Sequence, residues 1–344
     1  MHIPENYLSP ATCGVFGAAM VPVWVHCVRK VKATVPREKV ASLGVFAAFS
    51  FLLMMFNIPL PGGTTGHAVG GTLIAILFGP EAACLAVSVA LFIQAFLFGD
   101  GGVLALGANC FNMAFVLPFV GYAVYRLFRD HAPAAWGDRV GAAVGSYVGI
   151  NIAALCTAIE FGVQPLLFSD ASGQALYCPY PLAVSIPAMT IPHLLVAGVV
   201  EAIATVAIYS FVKKVAPDYI CDPNYQGAVA ERASSLKPVA VLIAVLAVLT
   251  PLGLLAQGTA WGEWGADEIA QVATGGQTLG YTPIGLEGGW SLEAVLPDYS
   301  LAGLPDAVGY VLSAVIGIAL LVIVFKLIAG LAANRARPPR ASKA

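Results

Sequence analysis

Long apolar runs constrain the possible fold of this chain more than any other feature of its sequence. Several stretches reach the length of about 20 residues that a helix needs to cross a bilayer. Hydrophobic residues make up 59% of the 344 residues and charged residues only 10%, whereas soluble domains carry about 25% charged residues. The sequence therefore predicts an all-α, polytopic membrane protein built as a helical bundle.

We predict about nine transmembrane helices, a core of seven followed by a carboxyl-terminal pair. Residues 68–98 are too long for one straight span, and Gly79-Pro80 divides them because proline breaks a helix. The helix count decides which loops share one side of the membrane. The predicted helices cover residues 9–28, 40–58, 67–79, 80–98, 103–128, 139–162, 185–212, 238–257 and 306–330.

Basic residues occur in the loops that follow the first, fifth, seventh and ninth predicted helices. With nine spans these loops lie on one side, which the positive-inside rule makes cytoplasmic. The amino terminus is then outside, together with the loop 59–66 (PLPGGTTG), and the carboxyl terminus is inside. Met1, His2 and His67 can therefore meet on the outer face. The basic residues are Arg29, Lys30, Lys32, Arg37, Lys39, Arg126, Arg129, Arg139, Lys213, Lys214, Arg232, Lys237, Arg335, Arg337, Arg340 and Lys343.

The composition divides the chain into three parts. Residues 1–212 form the dense core, residues 213–237 a polar cytoplasmic linker, and residues 238–344 a helix pair that flanks an outer segment, 258–305. This outer segment is rich in glycine and acidic residues. A connection of such length is usually either a small ordered element or a mobile flap, and both interpretations stay open.

The first ten residues, MHIPENYLSP, have no basic region, apolar region or cleavage site of signal-peptide type. We therefore expect Met1 to remain the amino terminus of the mature chain. A free amine followed by histidine can chelate a metal ion through three nitrogens, which are the amine, the His2 amide and the His2 imidazole. A metal ion can displace the proton of such an amine near neutral pH.

A fourth nitrogen, from His67, would complete a square of ligands. Ni(II) and Cu(II) accept this geometry, as does low-spin Co(II), whereas Zn(II) prefers a tetrahedron. From the residues alone, two unrelated histidines at helix ends remain the alternative.

Two stretches, MHIPENYLSP and PGGTTGHAVGGTL, resemble the signatures of the CbiM/NikM family. These proteins are the substrate-binding membrane components of energy-coupling-factor transporters for cobalt and nickel. The resemblance covers about residues 1–212 and implies that Met1, His2 and His67 hold the metal. It also implies a transmembrane coupling subunit and ATPase subunits as partners.

Residues 238–330 resemble the CbiN/PDGLE-type small component of the same transporters, fused here in one chain. The resemblance rests on residues 283–287 (PIGLE) and 296–300 (LPDYS). It implies that this part aids loading of the metal site, and the fusion favours nickel slightly over cobalt. In the amino-terminal signature, family members commonly read Asp-Gly-Phe where this chain has Glu5-Asn6-Tyr7, so the turn after Pro4 needs a different support.

Polar residues at membrane depth are candidates for supporting the ligands, although helix packing also uses them. A metal-bound imidazole usually donates its second N–H to an acceptor. Glu160 and Glu201 are carboxylates in apolar helices for which the sequence identifies no partner. The candidate supporting residues are Asn57, Thr64, Thr65, Gln94, Asp100, Asn109, Asn112 and His193.

The sequence contains no GxxxxGK[ST] loop, HExxH or GxSxG motif. We therefore expect a transporter component, with ATP hydrolysis supplied by partner subunits and with Ni(II) or Co(II) as substrate rather than cofactor. The net charge of −2 gives no reason to expect a nucleic-acid partner. The predicted location is the prokaryotic cytoplasmic membrane. A self-sufficient secondary metal permease is the alternative, and a membrane metalloenzyme is the third possibility.

Overall fold

A computed structural model describes residues 1–133, 136–220, 235–256, 258–274 and 277–334. Two predicted features lie outside these ranges, namely most of the linker with Arg232 and the basic tail with Arg335, Arg337, Arg340 and Lys343.

The described residues form ten helices and two short hairpins. The helices are α1 (Pro10–Thr34), α2 (Arg37–Met55), α3 (Gly71–Phe78), α4 (Pro80–Phe98), α5 (Leu106–His131), α6 (Gly137–Leu167), α7 (Leu182–Val215), α8 (Lys237–Leu255), α9 (Ile284–Gly288) and α10 (Asp306–Asn334). The hairpins pair β1 (Ile58–Leu60) with β2 (Thr64–Gly66) and β3 (Ala273–Thr274) with β4 (Gln277–Thr278), both antiparallel.

The prediction of an all-α membrane bundle is confirmed. Each of the nine predicted segments contains a helix, and seven described helices are long and apolar enough to cross a membrane. Helix α2 contributes a shorter apolar helix, Lys39–Met55. Helix α3 has only 8 residues, which span about 12 Å, so it is too short to cross. The number of crossings and the orientation in the membrane stay predictions.

Glycines allow α5 and α6 to pack closely. A Cβ added at Gly145 would lie 2.4 Å from the Gly121 carbonyl oxygen, and one at Gly149 would lie 2.6 Å from that of Leu117. Side chains at these positions would force the helices apart. The glycines at 141, 145 and 149 therefore serve contact within the chain.

The carboxyl-terminal helix α10 packs along α2 of the core. A Cβ at Gly44 would lie 2.9 Å from Cβ of Phe325, and one at Gly317 would lie 2.3 Å from the Phe51 ring. The Tyr310 hydroxyl donates to the Met55 carbonyl oxygen at the end of α2 (3.0 Å). These contacts join the carboxyl-terminal part to the core along the length of a helix.

The loops predicted to lie outside gather at one end of the bundle. The Tyr7 carbonyl oxygen accepts from the Cys178 N–H (3.0 Å), and the Leu176 carbonyl oxygen accepts from the Gly285 N–H (2.8 Å). Near this end, α4, α5 and α7 each contain a π-helical turn, at Gln94–Phe98, Cys110–Val116 and His193–Ala197. Such turns are frequent at functional sites.

Candidate metal centre

The amino terminus runs into the protein and is fixed immediately after His2. The Ile3 N–H donates to Oδ1 of Asn109 (2.7 Å), and Nδ2 of Asn109 donates back to the Ile3 carbonyl oxygen (3.0 Å). The Gly102 N–H donates to the same carbonyl oxygen (2.8 Å). Asn109, one of the predicted supporting residues, therefore holds the main chain next to His2.

The turn that departs from the family signature has its own support. Glu5 accepts from the Val103 N–H (2.6 Å) and the Leu104 N–H (3.4 Å) through its carboxylate. Asn6 has φ of 64°, a left-handed conformation that asparagine tolerates better than most residues. The Tyr7 hydroxyl donates to the Trp264 carbonyl oxygen (2.8 Å). Glu5 and Asn6 thus support the turn, and Tyr7 joins it to the outer segment.

His67 directly follows the β1–β2 hairpin, whose tight turn has Gly62 at φ 96° and Gly63 at φ 76°. The Thr64 hydroxyl donates to the Thr259 carbonyl oxygen (3.1 Å), and the Thr65 hydroxyl donates to that of Gly258 (3.4 Å). The two threonines, predicted as supporting residues, therefore join the His67 loop to the outer segment.

A carboxylate from α7 holds the other end of the His67 loop. Glu201 accepts from the Val69 N–H (2.7 Å) and the Gly70 N–H (2.9 and 3.1 Å), and it is fully buried. The helix predicted from residue 67 begins only at Gly71, since Gly70 is left-handed with φ of 73°. Sequence reasoning noticed Glu201 in an apolar helix but could not identify partners that are main-chain groups.

His2 and His67 meet although 65 residues separate them. Nδ1 of His2 lies 3.2 Å from Nε2 of His67, and the side chains belong to residues only 2% and 6% exposed. Burial, followed by the nearby terminal amine, lowers the pKa of His2 to about 3 and lowers that of His67 well below its usual value. Both rings are therefore neutral at pH 7 and can offer a lone pair to a metal ion.

The distance between the two rings fits neighbouring corners of a square. Nitrogens at adjacent corners lie about 2.8 Å apart when metal–nitrogen bonds are about 2 Å, and a shift of a few tenths of an ångström would bring the two rings to that spacing. Among the described residues, no three His, Cys, Asp or Glu side chains cluster as a metal site.

The terminal amine faces a carboxylate from the outer segment. The Met1 nitrogen lies 3.4 Å from Oε1 of Glu263, and Met1 is buried. Burial raises the pKa of Glu263 to about 7, an effect that the amine opposes. The sequence showed an acidic outer segment but gave no sign that one of its carboxylates reaches Met1.

Two predicted supporting residues border the His2 ring. Oδ1 of Asp100 lies 3.0 Å from Nδ1 of His2. Gln94 donates through Nε2 to Oδ2 of Asp100 (3.0 Å) and is fully buried.

The remaining predicted supporting residues have other surroundings. Asn112 donates to Glu160 (2.8 Å) and to Thr157 (3.1 Å), away from the nitrogen ligands. The His193 ring contacts the Met189 carbonyl oxygen through Nδ1 (2.7 Å) and borders a small cavity beside Met1. The Asn57 side chain makes no hydrogen bond to the described residues.

Two family models and several metal transport proteins match the chain. The cobalt uptake substrate-specific transmembrane region, CbiM, matches residues 2–219, and the PDGLE domain matches residues 237–334. The chain is 50% identical to the probable fused nickel transport protein LarMN of Lactiplantibacillus plantarum, over 95% of this chain and 97% of that protein. It is 48% identical to the fused nickel transport protein NikMN of Rhodobacter capsulatus, over 97% of this chain and 98% of that protein.

A crystal structure described as a transition metal transporter superposes with a TM-score of 0.60 at 52% identity. It covers 68% of this chain and all of the solved chain. The relatives are metal transport proteins and not enzymes. The chain is a multi-pass membrane protein that belongs to the CbiM family and carries a PDGLE domain in its carboxyl-terminal part.

Proposed function

We propose that this chain captures Ni(II) or Co(II) outside the prokaryotic cytoplasmic membrane and delivers it inward as the substrate-specific component of an ATP-driven energy-coupling-factor transporter. The observation that carries the proposal is the meeting of His2 with His67 beside the buried terminal amine. Two similar proteins with the same fused arrangement are named nickel transport proteins, which favours nickel as the physiological ion.

The proposed ligands are four nitrogens in one plane. The Met1 amine, the deprotonated His2 amide and Nδ1 of His2 occupy three consecutive corners, joined by five- and six-membered chelate rings. Nε2 of His67 occupies the fourth corner, next to Nδ1 of His2, where the structure has it at 3.2 Å. A square of nitrogens suits Ni(II) and low-spin Co(II) and disfavours the tetrahedral Zn(II).

The outer segment provides a route by which the ion reaches this plane. A cleft of about 620 Å³ lies between the His67 loop and the outer segment, and its wall includes Asp267 and Glu268. It shares Thr64, Ala188 and Trp261 with the small cavity that borders Met1. Carboxylates in the cleft attract cations, and Trp261 lies between the cleft and the site. This arrangement supports a role of the carboxyl-terminal part in loading the metal.

Glu201 is proposed to position His67. An experiment can distinguish this role from a general effect of removing a buried carboxylate. We expect Glu201→Gln to lower Ni(II) affinity about tenfold, the size typical of a residue that supports a metal ligand. Glutamine cannot accept from the Val69 and Gly70 N–H groups with two oxygens. Isothermal titration calorimetry with the purified full-length chain measures the effect.

Glu160→Gln is the matched control, because Glu160 is also buried in a helix but contacts Asn112 rather than the His67 loop. Its affinity should stay within about twofold of the wild type. Equal loss of affinity in both variants would contradict a specific role for Glu201.

Transport by this chain is expected to depend on an ATPase partner. A secondary permease would need a line of carboxylates along a midplane path, but the two carboxylates buried in the helices of the described residues are engaged, Glu160 by Asn112 and Glu201 by the His67 loop. We therefore predict that ⁶³Ni uptake by cells carrying the whole transporter falls to background when the P-loop lysine of the ATPase subunit is replaced by alanine. Uptake that persists in that strain would favour the secondary permease.

A further inference from the structure

The LPDYS stretch of the carboxyl-terminal part contains a strained turn. Asp298 has φ of 53° and Tyr299 has φ of 58°, and both are in the left-handed region that residues other than glycine adopt at a cost. Two such residues in succession persist only where the surroundings fix them. The contacts of Tyr299 supply that fixation.

Tyr299 is anchored on three sides. Its ring stacks on Phe98 with centroids 4.7 Å apart, and its carbonyl oxygen accepts from the Ser313 hydroxyl (2.9 Å). Its hydroxyl donates to Oδ2 of Asp100 (2.5 Å). The turn thus delivers a hydroxyl of the carboxyl-terminal part to the loop that contacts His2.

Gln94 completes a triangle of hydrogen bonds with these two residues. Its Nε2 donates to Oδ2 of Asp100 and to the Tyr299 hydroxyl oxygen, both at 3.0 Å. An ionised carboxylate only accepts, so the amide nitrogen of Gln94 has to face Asp100. Both hydrogens of that nitrogen are then used, and Oε1 of Gln94 is the acceptor that remains.

The His2 ring has a complementary requirement. If Nδ1 of His2 binds the metal, the ring proton is on Nε2, and that N–H needs an acceptor. Nε2 of His2 and Oε1 of Gln94 are both buried, and neither has a hydrogen-bond partner among the described residues. Both side chains contact Asp100, whose Oδ1 lies 3.0 Å from Nδ1 of His2 and whose Oδ2 accepts from Nε2 of Gln94 (3.0 Å).

We infer that Tyr299 is a positioning residue of the metal site. It holds Asp100 and Gln94 in the orientation in which Oε1 of Gln94 accepts from His2 Nε2–H once Nδ1 of His2 has exchanged its contact with Asp100 (3.0 Å) for the metal. The inference rests on the proposed function and adds to it, because the carboxyl-terminal part then determines how tightly the loaded site holds its ion as well as how the site is loaded.

The test compares Tyr299→Phe with Tyr310→Phe in the full-length chain with a native amino terminus. Both substitutions remove one buried hydroxyl from the same aromatic cluster, in which the two rings lie 5.3 Å apart, but the Tyr310 hydroxyl donates to a carbonyl of α2. We expect Tyr299→Phe to speed Ni(II) dissociation into a chelator about tenfold, while Tyr310→Phe leaves the rate near that of the wild type.

Two further measurements separate positioning from packing. In the diamagnetic square-planar Ni(II) complex, ¹⁵N NMR of labelled histidines should show an altered Nε2 resonance of His2 in Tyr299→Phe but not in Tyr310→Phe. The combined effect of Tyr299→Phe and Gln94→Met should be smaller than the sum of their separate effects, because the two residues act on His2 together.

Equal dissociation rates for the two tyrosine variants would overturn this inference, and so would additive effects in the double variant. In either case, tight Ni(II) binding by the wild type would still support the proposed function. If the wild type and its His67→Ala variant bound Ni(II) equally weakly, the proposed function would fail and this inference with it.

Discussion

Three glycines added ahead of Met1 are expected to abolish high-affinity Ni(II) binding although every side chain remains. The extension converts the Met1 amine into an amide and moves the new amine too far from His2 to complete the proposed chelate. A single glycine would instead leave Gly-Met-His, whose amine, two amides and imidazole can form a four-nitrogen chelate of their own. The site has no room to compensate, since Met1 and His2 are 4% and 2% exposed and Ile3 is fully buried. We expect affinity to fall more than about 100-fold, beyond the range typical of supporting residues.

The measurement is Ni(II) titration of two proteins that differ only in those three glycines, each with its affinity tag at the carboxyl end. A third protein with the glycines added after Ala344 controls for the extra residues. An acetylated native terminus should behave like the extended protein. Similar affinity with and without the amino-terminal glycines would remove the amine and the His2 amide from the ligand set, and the site would then consist of side chains.

Replacing His67 by alanine is expected to have a comparable effect, because it removes one corner of the square. Nε2 of His67 lies 3.2 Å from Nδ1 of His2, and alanine offers no donor atom for that corner of the proposed square. We predict a loss of at least about 100-fold in Ni(II) affinity, with the same result for His2→Ala. The visible absorption band of square-planar Ni(II) should disappear in both variants.

His193→Ala is the matched control for His67→Ala. His193 is equally well buried and borders the cavity beside Met1, but its Nδ1 contacts the Met189 carbonyl oxygen. Its affinity should change by less than about threefold, well below the effect of losing a ligand. A large loss in His193→Ala would identify His193 as a ligand and would call for a different donor set.

Some features of the fold and site follow from local sequence, and others depend on tertiary contacts. The length of the apolar runs predicts the helices. The loop charges, together with the helix count, predict that His2 and His67 lie on one face of the membrane. The start of α3 was misplaced because Gly70 is left-handed, with φ of 73°, and its N–H donates to Glu201, 131 residues later in the chain. No local pattern signals that contact, since its donors are the main-chain N–H groups of Val69 and Gly70.

The contacts that the carboxyl-terminal part makes with the site are likewise not predictable from local sequence. The LPDYS stretch could be recognised from its resemblance to a family, but the sequence does not show that the Tyr299 hydroxyl reaches Asp100. Nor does it show that Glu263, one of several acidic residues in the outer segment, is the one beside Met1. These contacts depend on how α10 packs on α2, which places the outer segment over the amino terminus.

The packing of α10 along α2 also has a kinetic consequence. Because the outer segment is covalently part of the chain, its contact with Met1 is intramolecular, and its effective concentration at the site is of millimolar order for a short tether. A separately encoded small component would have to find its partner in the membrane, and its occupancy would vary with expression level. In the fused chain every copy carries its own outer segment, in a fixed ratio of one to one. The fraction of chains in which the outer segment contacts Met1 should then be independent of protein dilution in vesicles.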